Sequence, residues 1–345
     1  MIRVGILGAA GYTGGELLRI LINHPQVEIV FANSESNAGN SVSDVHEGLI
    51  GETDLKFSAE MTFDQVDVVF FCFGHGKSEA FLKEHTIPDN VKIIDLAQDF
   101  RIAAPTHDYV YGLPEIHKEQ IAKCQHLANP GCFATCVQLG LLPLAKAGLL
   151  KHDVAVNAIT GSTGAGQKPS ATTHFSWRNN NMSIYKVFTH QHLHEICQTM
   201  NELRPSNAPA VIDTLVAQPA NDDITIDFIP YRGDFARGIF CTEVVKFDGE
   251  EGSATNPTAE QLANMYKSFY ADAAFTFYSD KEIDLKQVVN TNKALVHIDK
   301  FGNKAVITSM IDNLLKGAVG QAVQNMNIMF GIDEKTGLGL KATAF

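Results

Sequence analysis

The sequence has no excess of positive charge, no long apolar run and no cysteine framework, and each absence removes a class of function. A formal charge of −12, from 27 Lys+Arg against 39 Asp+Glu, excludes the basic surface that nonspecific nucleic-acid or anionic-membrane binding requires. It leaves room for a small anionic substrate in a locally positive pocket. No apolar stretch approaches the roughly 20 residues of a membrane span, so neither a membrane nor a nucleic acid is an expected partner. The six cysteines, at 72, 124, 132, 136, 197 and 241, lack disulfide-framework spacing in a chain of 345 residues and read as reduced thiols. Cys132 and Cys136 form a CxxxC pair with no second Cys/His pair beside it, so no metal is expected. Internal repeats and low-complexity tracts are absent. Met1 leads directly into strand-like residues 2–7 without a basic segment and apolar core, and the expected location is the cytoplasm.

What is present is a change of texture part-way along. Up to about residue 130, strand and helix patterns alternate, which implies parallel βαβ units. Residues 2–7, 27–32, 66–73 and 91–96 are continuous apolar stretches, as strands buried on both faces should be. Helical patterns cover 13–23 and 78–84. After a helix that begins near Phe133, strand-like runs follow one another at 154–159, 211–216, 224–229, 239–247, 294–299 and 305–309. Several alternate, as in Thr225-Ile226-Asp227-Phe228, so a mostly antiparallel sheet with one wet face is expected. A helix at 258–269 interrupts them, and 313–330 reads as a long amphipathic helix. The fold class is α/β: a Rossmann-type dinucleotide-binding domain followed by an α+β domain.

The chemistry-bearing residues fall at the joins of these elements. The first strand ends in Gly8-Ala9-Ala10-Gly11-Tyr12-Thr13-Gly14-Gly15 and a helix follows. Glycines at 8, 11 and 14 let the backbone turn tightly and approach a pyrophosphate at the helix N-terminus. An NAD site would place an acid after the second strand; Asn33-Ser34 stand there instead, which favours a 2′-phosphate and hence NADP, with Glu35 beside them. Cys132, in Asn129-Pro130-Gly131-Cys132-Phe133, lies where a turn feeds a helix, and the positive helix end stabilises a thiolate there. Cys136, one turn later, reads as a buried inert thiol. His190, His192 and His194 crowd one short segment, and a thiolate nucleophile needs a proton partner poised near neutral pH. One of His190 and His192 is the candidate acid/base, the rest being structural. The loop Gly161-Ser162-Thr163-Gly164-Ala165-Gly166-Gln167-Lys168 suits close approach of an anionic or nicotinamide group, with Lys168 as counter-charge. Arg101, Arg178, Arg232 and Arg237 are candidate carboxylate or phosphate clamps.

Together these motifs resemble a known family. GAAGYTGGEL (8–17), SNAGNSVSDVHEGLIG (36–51), DLAQDFR (95–101), YGLPE (111–115), NPGCFAT (129–135), GSTGAGQKP (161–169), HQHLHEI (190–196) and NLLKGAVGQAVQNMNIMFG (313–331) occur in the order of the N-acetyl-γ-glutamyl-phosphate reductases of arginine biosynthesis. That family is related to the aspartate-semialdehyde dehydrogenases. The resemblance implies that Cys132 is the nucleophile and His190 the acid/base. It implies NADP binding by Gly8, Gly11, Tyr12, Thr13, Gly14, Ser34, Ser36, Gly164, Gln321 and Asn325. Substrate binding is expected from Arg101, Asn129, His192 and Arg237. It also implies that the C-terminal helix returns to the nucleotide domain, giving domains 1–132 with 313–345 and 133–312, the latter for catalysis and oligomerisation. The implied reaction is NADPH-dependent reduction of a small acyl phosphate through a cysteine thioester, in a homodimer or homotetramer. Thr163, Gln167, His194 and the Ser34-Glu35-Ser36 triplet depart from the family's usual residues. The alternatives are an N-acetyl-aminoadipyl-phosphate reductase, an aspartate-semialdehyde dehydrogenase, or a non-enzymatic cofactor-sensing regulator.

Overall fold

The computed structural model describes residues 1–220 and 222–343. The chain divides into two compact units, Met1–Pro130 with Ala318–Gly339, and Gly131–Gly317 with the described tail from Leu340. The joins differ from those expected. Cys132 starts a helix that packs on the second sheet and so belongs to the second unit, as do residues 313–317.

The first unit contains β1 (Ile2–Leu7), α1 (Tyr12–Leu21), β2 (Val27–Asn33), β3 (Phe57–Ser58), β4 (Val68–Phe71), α2 (Ser78–Glu84), β5 (Lys92–Asp95), β6 (Val110–Tyr111), α3 (Pro114–Ile121) and β7 (His126–Ala128). Its sheet runs β3-β2-β1-β4-β5-β7-β6 with all neighbours parallel. One core layer joins Leu7, Phe31, Val69, Phe71 and Ile93, with Phe63, Phe73 and Phe81 packed against it. The C-terminal helix Gly320–Met329 belongs to this unit and touches α1 and α3. The sequence pattern suggested an amphipathic helix over 313–330. The structure instead has a π-helical turn at Leu315–Val319, and every residue of Gly320–Met329 is buried. Its Gln321, Gln324, Asn325 and Asn327 are interior polar groups; Asn325 and Asn327, for example, donate to carbonyls of Gly112 and Thr336.

The second unit contains α4 (Cys132–Lys146), β8 (Val154–Thr160), α5 (Phe175–Arg178), β9 (Ser183–Ile184), α6 (His192–Leu203), β10 (Val211–Ile212), β11 (Ile224–Arg232), β12 (Ile239–Lys246), α7 (Ala259–Phe269), β13 (Thr276–Tyr278), β14 (Ala294–Phe301) and β15 (Lys304–Ile311). The sheet order is β10-β11-β8-β12-β15-β14-β13, with β9 beside β11. This sheet is mixed, not mostly antiparallel as expected. β8–β12, β12–β15, β14–β15 and β9–β11 are antiparallel, whereas β8–β11, β10–β11 and β13–β14 are parallel. For β8–β11 the reason is α6: the chain between them crosses over through that helix, and a crossover returns the strand in the same direction. Burial alternates along β8, β11 and β12, so one face is buried and the other is for the most part half-buried. On the buried side Glu243 of β12 is fully buried against Gly140 of α4, where a Cβ would stand 2.2 Å from its Oε2. Its Oε1 accepts from Ser309 Oγ at 3.2 Å and Cys241 Sγ at 3.3 Å. Among the described residues no helix is long and apolar enough to cross a membrane.

Candidate active site

In the first unit the glycine loop lies where the strand order reverses between β1 and β4, the crevice in which open α/β sheets bind nucleotides. Gly8 has φ +72°, and a Cβ there would stand 2.7 Å from the Cys72 carbonyl oxygen just past β4. A Cβ at Gly14 would stand 2.5 Å from the Ala9 carbonyl oxygen, so this glycine lets α1 close onto the loop. Gly11 caps α1 with no side-chain partner, and no acid occupies the first turn. The helix therefore presents backbone N–H groups and the positive end of its dipole. Tyr12 is exposed, and Thr13 hydrogen-bonds the Cys72 thiol. His46 was not singled out in the sequence: its Nε2 donates to the Ala9 carbonyl at 2.8 Å and its ring covers Gly15. The signal was the Asp-x-His of the 36–51 motif. Past β2, Asn37 Nδ2 donates to Ser34 Oγ at 3.0 Å and Ser36 Oγ at 3.1 Å. Both hydroxyl oxygens thus act as acceptors for Asn37, which leaves their protons to point at a phosphate. Asn33, by contrast, donates to the Ser58 and Ala59 carbonyls and holds β3. This loop fits a dinucleotide.

DLAQDFR is a clasp. Asp99 accepts from the backbone of Gly76, Ser78 and Glu79 at the start of α2. Asp95 accepts from Ser78 Oγ and Ala97 N–H, and burial pushes its carboxyl up to about 6. Arg101, buried, donates to the carbonyls of Leu96 and Asn129, each at 2.8 Å. Asn129 in turn donates to the Ala318 carbonyl at 3.0 Å and accepts from Asn325 at 3.2 Å. The two residues expected to meet substrate, Arg101 and Asn129, therefore fasten the turn that leads to Cys132. Asn325 fastens it too, and Gln321 lies fully buried one turn earlier.

In the second unit Cys132 is the first residue of α4, after Gly131 as an extended N-cap without a side-chain partner. It is half-buried, while Cys136 is buried and bonded to Ser309. Gly317, in the π-helical turn, backs this cysteine: a Cβ there would stand 2.9 Å from Cys132 Cβ. π-turns of this kind concentrate at functional sites. His190 and His192 lie beside Phe133, their ring centroids 4.5 Å apart. His190 Nδ1 accepts the His192 backbone N–H at 3.2 Å, so its neutral ring carries the proton on Nε2. Glu195, also missed in the sequence, accepts the Gly131 N–H at 2.8 Å and stands 4.0 Å from His192 Nε2 with both side chains buried. His194 pairs with Asp213 on the outer side of α6. Tyr185 packs on His190, 5.8 Å between ring centroids. Burial raises its phenol, and Cys132, Arg232 and Arg178 all lie within electrostatic reach of it.

The 161–168 loop is pinned at its start, where Thr163 and Gly238 both bond Asn313, and is exposed from Gly164 through Lys168. Arg237 directs its fork onto Asp312 at 3.0 and 3.1 Å, which makes it part of the same scaffold. Among the described residues no group of metal-ligating side chains converges.

A parallel sheet with a glycine loop, joined in sequence to a mixed sheet whose helix begins with a cysteine, defines a semialdehyde dehydrogenase-type oxidoreductase. Residues 3–124 match the family described as "Semialdehyde dehydrogenase, NAD binding domain", and residues 132–313 match "Semialdehyde dehydrogenase, dimerisation domain". The chain has the fold of aspartate semialdehyde dehydrogenase II from Vibrio cholerae, solved in complex with ASA (TM-score 0.70, 18% identity, 96% of this chain and 98% of that one). The enzyme of Candida albicans, solved with NADP, is similar too (TM-score 0.66, 14% identity, 96% and 98%). Full-length relatives from Bacteroides fragilis (57% identity over 345 residues) and Bacteroides thetaiotaomicron (56% over 345 residues), each covering 100% of both chains, are N-acetyl-gamma-glutamyl-phosphate reductases. The chain belongs to the N-acetyl-gamma-glutamyl-phosphate reductase family.

Proposed function

We propose that this protein reduces N-acetyl-γ-glutamyl phosphate to N-acetylglutamate 5-semialdehyde and phosphate with NADPH. The observation that carries the reading is Cys132 at the uncapped start of α4, joined to full-length identity above 50% with reductases of that name. The Cys132 sulfur attacks the acyl carbon, the carbon–oxygen bond to phosphate breaks, and a thioester forms. The thiol proton passes to His192 of the His190–His192 pair, since His190 Nε2 already carries one, and the pair delivers a proton to the departing phosphate. Backbone N–H groups of the first turn of α4 face the oxyanion of each tetrahedral stage. NADPH, when bound, supplies the hydride that reduces the thioester carbon. The carbon–sulfur bond then breaks, the aldehyde departs, and the histidine pair returns a proton to the sulfur. On this reading Gly8, Gly11, Tyr12, Thr13 and Gly14 hold the pyrophosphate end of the cofactor, and Ser34 and Ser36 its 2′-phosphate. The half-buried face of the second sheet supports a homodimer or homotetramer, and the cytoplasm is the compartment where reduced thiols and this chemistry belong.

The test is the reaction in reverse. Purified protein given N-acetylglutamate 5-semialdehyde, phosphate and NADP forms NADPH faster than with aspartate semialdehyde or N-acetyl-aminoadipate semialdehyde. No NADPH from any of the three leaves the cofactor-sensing regulator.

Substitutions at two positions follow from the geometry. Gly14→Ala forces α1 away from Ala9 at a cost of about 1–3 kcal/mol, read as a roughly 10- to 100-fold weaker NADPH Kd by fluorescence titration. An unchanged Kd removes the loop from cofactor binding. Glu195→Gln keeps an acceptor for Gly131 but removes the charge facing His192, so kcat falls roughly tenfold or more with Tm preserved. Glu195→Ala lowers both, losing about 1–3 kcal/mol of stability with the buried N–H left unbonded. Equal kcat in wild type and Glu195→Gln makes this carboxylate purely structural.

A further inference from the structure

We propose that Arg178 and Arg232 form the clamp for the substrate's α-carboxylate, an assignment that rests on the function proposed above. Arg178 closes the short helix α5 and is buried; its Nη2 donates to the Thr160 carbonyl at 3.1 Å, and its Nε, also buried, has no protein partner among the described residues. Arg232 ends β11 with its guanidinium carbon 4.0 Å from the Tyr185 ring centroid. Among the described residues its bonds are long ones, to Ser183 Oγ at 3.4 Å and the Ile184 carbonyl at 3.5 Å. Among the described residues neither guanidinium makes an ion pair. Asp234 lies within electrostatic reach of Arg178, and it accepts the Asn180 N–H at 2.6 Å.

Two cations held side by side repel each other, and burial together with the Arg232 charge pulls the Arg178 guanidinium below its usual value. Guanidinium groups that form no ion pair among the described residues, one of them buried with an unbonded Nε, have donors to offer an anion. The partner is an anion, and Tyr185 says which end of the substrate it is. The Tyr185 ring lies between the Arg232 guanidinium, 4.0 Å from its centroid, and the His190 ring, 5.8 Å away, and His190 packs on Phe133 beside Cys132, so the clamp stands back from the cysteine by an aromatic ring. Phosphate is bonded to the reacting carbon, whereas the carboxylate sits at the far end of the substrate chain. A clamp set back from Cys132 behind the Tyr185 and His190 rings faces the carboxylate end. It also replaces Arg101 and Arg237, the two arginines favoured by sequence, whose forks are engaged with carbonyls and with Asp312.

In the reverse reaction the two anions enter on separate molecules, which makes the assignment testable. Arg232→Gln and Arg178→Gln raise the KM for the semialdehyde about tenfold or more and leave the KM for phosphate within about twofold. Arg232→Lys, which keeps the charge and loses the fork, falls between wild type and Gln. A rise in the phosphate KM alone, a rise in both, or no change in either overturns the assignment. A second readout needs no turnover and is independent of fold loss: N-acetylglutamate slows iodoacetamide alkylation of Cys132 in wild type and does not in Arg232→Lys at the same concentration. Protection that is equal in the two proteins also overturns the clamp. A wild type that is protected by N-acetylglutamate but turns over no semialdehyde refutes the proposed reaction and leaves the clamp standing.

Discussion

Cys132→Ser lowers kcat by at least roughly 10³-fold while NADPH binds as in wild type. A serine hydroxyl in the same place is a far weaker nucleophile near neutral pH, because its proton is held much more tightly than a thiol's and the helix end that favours a thiolate leaves it protonated. The glycine loop belongs to the other unit and is untouched. Cys136→Ser is the control, since Cys136 is buried and bonded to Ser309. It costs some stability and leaves the chemistry intact. Parallel measurement of kcat by coupled assay and of Kd by fluorescence separates the two cysteines. Equal losses in both variants would assign the effect to packing of α4, and the nucleophile would have to be sought elsewhere.

Stability falls as pH rises from about 4.5 to about 8, and Glu243→Gln removes most of that slope. The Glu243 carboxyl is fully buried between β12 and α4, and burial pushes it up to about 8 from its usual 4.5. The groups facing it are Cys241, Ser309, the Gly140 backbone and, more distantly, Tyr266, none of them a cation. Cys241 and Ser309 bonds favour the ionised form, but desolvation dominates. In the unfolded chain the group loses its proton near pH 4.5; in the folded chain it keeps it until about 8. Across that window the unfolded state binds fewer protons, so raising the pH favours unfolding by on the order of a few kcal/mol in all. Denaturant titrations at pH 5, 6.5 and 8 read the effect directly. Wild type loses stability across the series, and Glu243→Gln holds steady apart from the smaller contribution of Asp95, which is pushed up to about 6 in the same direction. A wild-type curve that is flat or rises over this range contradicts a neutral Glu243.

The parts of the site visible in sequence are the ones encoded locally. The glycines at 8, 11 and 14 and the Pro130-Gly131-Cys132 turn declare a backbone geometry that the next residues then use, and both lie where a strand or turn meets a helix. The parallel first sheet follows for the same reason, because continuous apolar strands separated by helices admit few other arrangements. The second sheet was misread because alternation in β8, β11 and β12 reports a wet face and says nothing of strand direction. The direction of β11 against β8 was set by α6, which was hidden within a segment read for its histidines. Roles that depend on distant partners were equally hidden. Glu195 bonds Gly131 across 64 positions, and Arg101 reaches Asn129 across 28. An arginine's numbering does not reveal whether its fork meets a carbonyl, an aspartate or open space. The family resemblance supplied the order of the motifs, and the coordinates then separated residues that fasten the site from residues left with bonds to offer.

The central claim is a covalent acyl enzyme on Cys132, and the most direct measurement is rapid mixing of wild type with N-acetyl-γ-glutamyl phosphate in the absence of NADPH. The account predicts a burst of phosphate stoichiometric with active sites, together with an N-acetylglutamyl mass increment on the peptide that contains Cys132. Phosphate released only when NADPH is present, with no acyl group on Cys132, would contradict it.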